Sequence, residues 1–199
     1  MHTTAAALLF HRVALICAAF CITVGVVVAA GWLLDVPALF ALRAGVEMNF
    51  DTALCFLLSG IALASARLGG RLAAGLAAGS MLALSNLVLL ETVWSSPGAP
   101  AAGTMSFQLA LCFIGTSVAV LGYLRHARPS LAAAVSSLVA ACGAMSMLGY
   151  SVDLQLLYGW SGITRMAFYS ALTLTVLSAG LLCVIVSDSV ERTPGLMPD

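Results

Sequence analysis

Residues 13–34 read VALICAAFCITVGVVVAAGWLL, an unbroken stretch without a single charge. A helix needs about 20 predominantly apolar residues to cross a bilayer, and this stretch suffices on its own. Five further runs follow at Thr52–Ala66, Leu72–Trp94, Phe107–Leu124, Leu131–Val152 and Met166–Val186. The second is the shortest, which predicts that its helix reaches back to Asn49. Residues that interrupt helices separate the runs: Pro37, Gly69-Gly70, Pro97-Gly98-Ala99-Pro100, Pro129 and Gly159. The pattern predicts an all-α polytopic membrane protein of six transmembrane helices. One domain covers residues 1–187, with a tail at 188–199 too short to fold alone.

Composition agrees. Of 199 residues 62% are hydrophobic and only 8% are charged, against about 25% charged in soluble domains. The basic residues are eight Arg, with no Lys. So few charges cannot cover a water-soluble surface. They exclude a soluble enzyme, a disordered chain and a nucleic-acid binder with a basic face. The expected solvent is membrane lipid. The first run follows His11-Arg12, but it is too long for the apolar region of a signal peptide and reads as a retained helix.

Arginine placement sets a predicted orientation. Arg12, Arg67, Arg71, Arg125, Arg128 and Arg192 fall on one side of the predicted membrane, and Arg43 and Arg165 on the other. The positive-inside rule makes the first side cytoplasmic. Both termini are therefore expected in the cytoplasm of a bacterium, with the chain in its inner membrane. Trp32, Trp94 and Trp160 all fall on the outer side, as an interfacial aromatic belt would.

The chain also repeats itself. Gly31-Trp32-Leu33-Leu34-Asp35 aligns with Gly149-Tyr150-Ser151-Val152-Asp153 at an offset of 118. Without a gap, Met48 then meets Met166, Thr52 meets Ser170, and Ala53-Leu54 meets Ala171-Leu172. At an offset of 57, Met48, Phe50, Ala53, Leu54, Cys55 and Phe56 meet Met105, Phe107, Ala110, Leu111, Cys112 and Phe113. The unit is a helical hairpin whose first helix runs outward to an acidic residue and whose second opens near a Met. Three such hairpins are expected, at about 11–68, 69–126 and 129–187.

These residues resemble a known type: the six-helix, repeat-built membrane-associated sensor domains that precede bacterial sensor histidine kinases and diguanylate cyclases. The resemblance runs through Gly31-Trp32-Leu33-Leu34-Asp35-Val36-Pro37, Met48 with Thr52–Gly60, and Leu89-Leu90-Glu91. It continues through Leu148-Gly149-Tyr150, Leu157-Tyr158-Gly159 and Met166–Leu172. It implies a sensory input fold. Two departures stand out. Phe50-Asp51 stands where the family usually has Pro-Asn. The family also continues into a cytoplasmic output domain, whereas this sequence stops at Asp199, soon after Pro194-Gly195-Leu196-Met197. The expectation is a signal handed to a separate protein partner.

The candidate site is an outer-face polar pocket of Asp35, Arg43, Asp51, Glu91, Asp153 and Arg165. Asp35, Glu91 and Asp153 end outward helices, where a carboxylate opposes the helix dipole by about 0.3–1 kcal/mol. They are either solvated markers of the lipid boundary or an acidic rim with Arg43 and Arg165 as its cations. Asp51 reads as a capping acid at a helix start, or, with its repeat equivalents Gln108 and Tyr169, as part of a polar ring. Gly75, Gly79 and Asn86 are expected to pack helices, the glycines by close approach and Asn86 by an interhelical hydrogen bond.

No catalytic, metal or cofactor constellation is read. Cys17, Cys21, Cys55, Cys112, Cys142 and Cys183 all lie inside apolar runs and read as packing residues. His2, His11 and His126 read as solvated edge residues rather than haem ligands. The expected function is non-enzymatic: a sensor that passes an outer-face or lipophilic signal, such as a small apolar ligand, to a cytoplasmic partner. The alternative is an accessory structural subunit of a larger, energy-converting membrane complex.

Overall fold

The structure, a computed structural model, describes residues 2–40, 47–94, 105–125, 129–152 and 166–192. Six helices account for almost all of them: α1 (His2–Leu33), α2 (Phe50–Arg67), α3 (Arg71–Trp94), α4 (Phe107–Leu124), α5 (Pro129–Val152) and α6 (Phe168–Arg192). Each is long and apolar enough to cross a membrane, and no strand occurs among the described residues. The fold is all-α.

Helix limits follow local chemistry. Asn49 occupies the cap position of α2, as the short second run implied. Pro129 opens α5 at the one helical position where its missing N–H costs nothing. The α2–α3 turn places Gly69 at φ 84°, and Gly70 N–H bonds back to the Ser65 carbonyl at 2.8 Å. This is a left-handed helix cap of the Schellman type. Two limits lie beyond the apolar runs. α1 starts at His2, well before Val13, and α6 continues to Arg192, so Asp188 belongs to a helix rather than to a tail.

Consecutive helices pack side by side, and α6 closes back on α1. The second helices of the hairpins, α2, α4 and α6, also touch one another and form the centre. Burial follows the offsets of 57 and 118. Met48, Met105 and Met166 are all buried, as are Ala53, Ala110 and Ala171. At the centre Phe56, Phe113 and Leu174 are each 0% exposed. The Phe56 and Phe113 rings meet edge-to-face at 4.9 Å.

Close approach relies on glycine. A Cβ on Gly25 would lie 2.7 Å from the Ala53 carbonyl oxygen and 2.7 Å from the Leu57 nitrogen. Its repeat equivalent, Gly143, would meet Thr175 Oγ1 at 2.5 Å and the Ala171 oxygen at 3.0 Å. Thus α1 packs on α2 as α5 packs on α6. The expected packing face on α3 differs. Gly79 has nothing within 4 Å of a built Cβ, and Gly75 meets only Leu124, at 4.0 Å. Asn86 is exposed, and its Nδ2 donates to the Leu82 carbonyl of its own helix at 2.8 Å. Among the described residues it makes no interhelical bond, because it faces away from the bundle.

Replacing Gly25 with Ala forces backbone apart and should cost about 1–3 kcal/mol, as overpacking does. Gly79→Ala enters open space and should be neutral or stabilising, since Ala exceeds Gly in helix propensity by about 1 kcal/mol. Thermal unfolding of the two variants in one detergent compares them directly.

Candidate functional site

The bundle has two ends. One carries the start of α1 and the end of α6; the other, the distal end, carries Leu33, Phe50 and Phe168. The expected polar pocket belongs to the distal end. Arg43, Asp153 and Arg165 lie outside the described residues. Asp35 and Glu91 are exposed, and Asp51 is half-buried within electrostatic reach of Glu91.

Asp35 has a backbone role. Its φ is 52°, and Val36 N–H bonds to the Gly31 carbonyl at 2.9 Å. This is the same helix cap that Gly69 makes after α2. Asp tolerates the left-handed conformation better than most residues, so Asp35 ends α1 with its side chain exposed.

The distal cavity is apolar. It measures about 260 Å³ and lies between α1 and α6. Phe20, Val24 and Val28 of α1 line one side and Tyr169 and Leu172 of α6 the other, with Phe40 as part of the roof. Asp35, Asp51 and Glu91 do not line it. Of the polar ring Asp51–Gln108–Tyr169, only Tyr169 reaches it, because the cavity opens at one seam of the bundle rather than under its axis.

The roof is pinned. Pro37–Leu39 forms a short 3-10 turn. The Phe40 ring stacks on Trp32 at 4.4 Å and 17°. Trp32 Nε1–H donates to the Met48 carbonyl at 2.9 Å, and Met48 N–H donates to the Phe40 carbonyl at 3.0 Å. Trp32 is therefore more than an interfacial belt residue. Its repeat equivalent Tyr150 donates in the same way to the carbonyl of Met166, the equivalent of Met48.

At the other end a polar clamp joins four helices. Arg67 Nη1 on α2 pairs with Asp188 Oδ1 on α6 at 3.0 Å. Arg67 Nε–H donates to His11 Nδ1 on α1 at 3.0 Å, and the Tyr123 hydroxyl on α4 donates to Asp188 Oδ2 at 2.6 Å. The Arg67 side chain is 9% exposed and that of Asp188 22%, so water screens this pair only partly. The adjacent Ser187 hydroxyl is fully buried and has no hydrogen-bond partner among the described residues.

Sequence reasoning missed the clamp. In the sequence Arg67 enters only the arginine asymmetry, His11 reads as a solvated edge residue, and Asp188 falls in the tail. A signal was present in the repeat. The equivalents of Arg67 at the two offsets are Leu124 and Ile185, and those of Tyr123 and Asp188 are Ala66 and Gly70. Polar residues that break a repeat at helix ends are candidates for specific pairing.

The cysteines are free, and among the described residues no group of three or more His, Cys, Asp or Glu could hold a metal ion. No protein-family model, curated protein or solved structure matches the chain.

Asp35→Gly should raise the thermal midpoint by relieving about 1–2 kcal/mol of left-handed strain, whereas Asp35→Val should lower it. Arg67→Ala and Asp188→Ala should each destabilise the protein by leaving a charge unpaired. The double variant should lose less than the sum, with a coupling of about 0.5–3 kcal/mol in a double-mutant cycle.

Proposed function

We propose that this chain is a non-enzymatic input module of a bacterial inner membrane, with both termini cytoplasmic. A lipophilic signal is taken up at the distal, outer end and passed to a cytoplasmic protein partner. The observation that carries this reading is the course of α6. Its first turn lines the cavity through Tyr169 and Leu172, and its last turns hold the clamp through Asp188. At about 1.5 Å per residue the two points lie roughly 25 Å apart on one continuous helix. A helix that shifts or rotates when the cavity fills moves its inner end with it, and the Arg67–Asp188 clamp is the contact that resists. Making and breaking this clamp is the two-state step that the reading invokes. The family resemblance noted from the sequence points the same way.

A second reading, an accessory subunit of a larger membrane complex, draws on α3. Gly75 and Gly79 form a small-residue face that the described residues pack only loosely, and such faces pack helices in membranes.

Gentle extraction from the native membrane, followed by mass spectrometry, separates the two. Co-purification with a signalling protein, whose output in cells changes when Asp188 is replaced by Ala, supports the input module. A stoichiometric large complex that assembles equally well with Asp188→Ala favours the accessory subunit.

A further inference from the structure

We infer that the cavity between α1 and α6 is a binding site for a compact, uncharged hydrocarbon ring that enters from the membrane interior. The inference rests on the input-module reading and names the ligand class of that module.

Four observations carry it. The first is chemistry. Among the described residues no charged side chain lines the cavity; the polar ones that do are Thr23 and Tyr169. The Thr23 hydroxyl already donates to the Ala19 carbonyl at 2.8 Å. An ionised headgroup would lose its hydration there without gaining an opposite charge among the described lining residues. The second is size. An engineered apolar cavity of about 150 Å³ holds one benzene, and about 260 Å³ accommodates a ring with a few further carbons. The third is shape. Phe20, Phe40 and Tyr169 are among the lining residues, and aromatic side chains favour offset or edge-on contact with another ring.

The fourth is access and rigidity. Phe20, Thr23 and Val27 lie on the exposed side of α1 at helical spacing, so that wall adjoins lipid. The opposite boundary cannot readily collapse, because Phe40 is stacked on Trp32 and tied to Met48 through its carbonyl. A lipid acyl chain is the competing occupant. It is present at constant, high concentration in every bilayer, so a site it filled would report nothing.

The test uses the full chain in nanodiscs of one phosphatidylcholine, with protein-free nanodiscs of the same lipid as the partition reference. The probe is radiolabelled naphthalene. The expected result is saturable retention of one molecule per chain above partitioning. Leu172→Trp fills the cavity from α6 and should weaken retention by about tenfold or more. Val27→Trp does so from the lipid-facing wall, where a larger side chain threatens the fold least. Both variants are scored against their thermal midpoints. Absence of saturable retention by folded wild-type chain overturns the inference. So does retention unaffected by both filling substitutions in folded protein. Equal displacement of naphthalene by n-decane at matched lipid-phase mole fraction also overturns it, since the site would then be an acyl-chain groove.

The input-module reading fails separately. If naphthalene binds as expected while the co-purifying partner's output stays unchanged, the site stands and the reading falls. If naphthalene does not bind but Asp188→Ala alters the partner's output, the reading stands and the site falls.

Discussion

A bilayer interior offers no water to backbone N–H and C=O groups, so each spanning segment must satisfy its own. Every other feature of this protein accommodates that constraint. The six apolar runs become helices because no other local structure closes those bonds within one segment. Six buried hydroxyls obey the same rule, whereas that of Ser187 has no partner among the described residues. Ser85, Thr116, Ser117, Ser136, Thr173 and Ser178 each donate to a carbonyl about one turn back in their own helix, at 2.7–2.9 Å. Little polar chemistry is left over to hold one helix to another.

Helix association then has to come from shape, since lipid tails are as apolar as the side chains they would replace. Gly25 and Gly143 let α1 meet α2, and α5 meet α6, at backbone contact. Trp32 and Tyr150 add one polar tie each at the distal end, from one helix of a hairpin to the start of the other. These pairs are equivalent under the offset of 118. The middle hairpin carries Leu89 where the others have Trp32 and Tyr150, so the outer hairpins are the more alike. The repeated contacts build a ring with α2, α4 and α6 at its centre.

The contacts that break the repeat are of a different kind. The Arg67–Asp188 clamp with Tyr123 and His11 has no counterpart among the described residues, and it gathers all three central helices at one end. The apolar cavity occupies one seam, between the first helix and the last. A repeat supplies the scaffold, and departures from it supply asymmetry. Asymmetry is what a protein needs to respond at one place and report at another, and α6 is common to both departures.

The sequence by itself determined the all-α class, the six spans and, except at the start of α1 and the end of α6, their limits to within a few residues, because apolar run length and turn residues act locally. It also showed which positions correspond under the offsets. It says less about the polar residues. Asp35 reads as a site acid and acts as a helix cap, since backbone dihedrals are not written in residue type. Asn86 and Gly79 read as packing groups, yet Asn86 is exposed and Gly79 meets no close neighbour, since run length does not reveal which face of an all-apolar helix turns inward. Arg67 and Asp188 are 121 positions apart, and the cavity joins α1 to α6 across nearly the whole chain. Only the closing of the ring decides such contacts. Both ends of the candidate site are therefore tertiary facts, built from residues whose spacing along the chain carries no trace of their meeting.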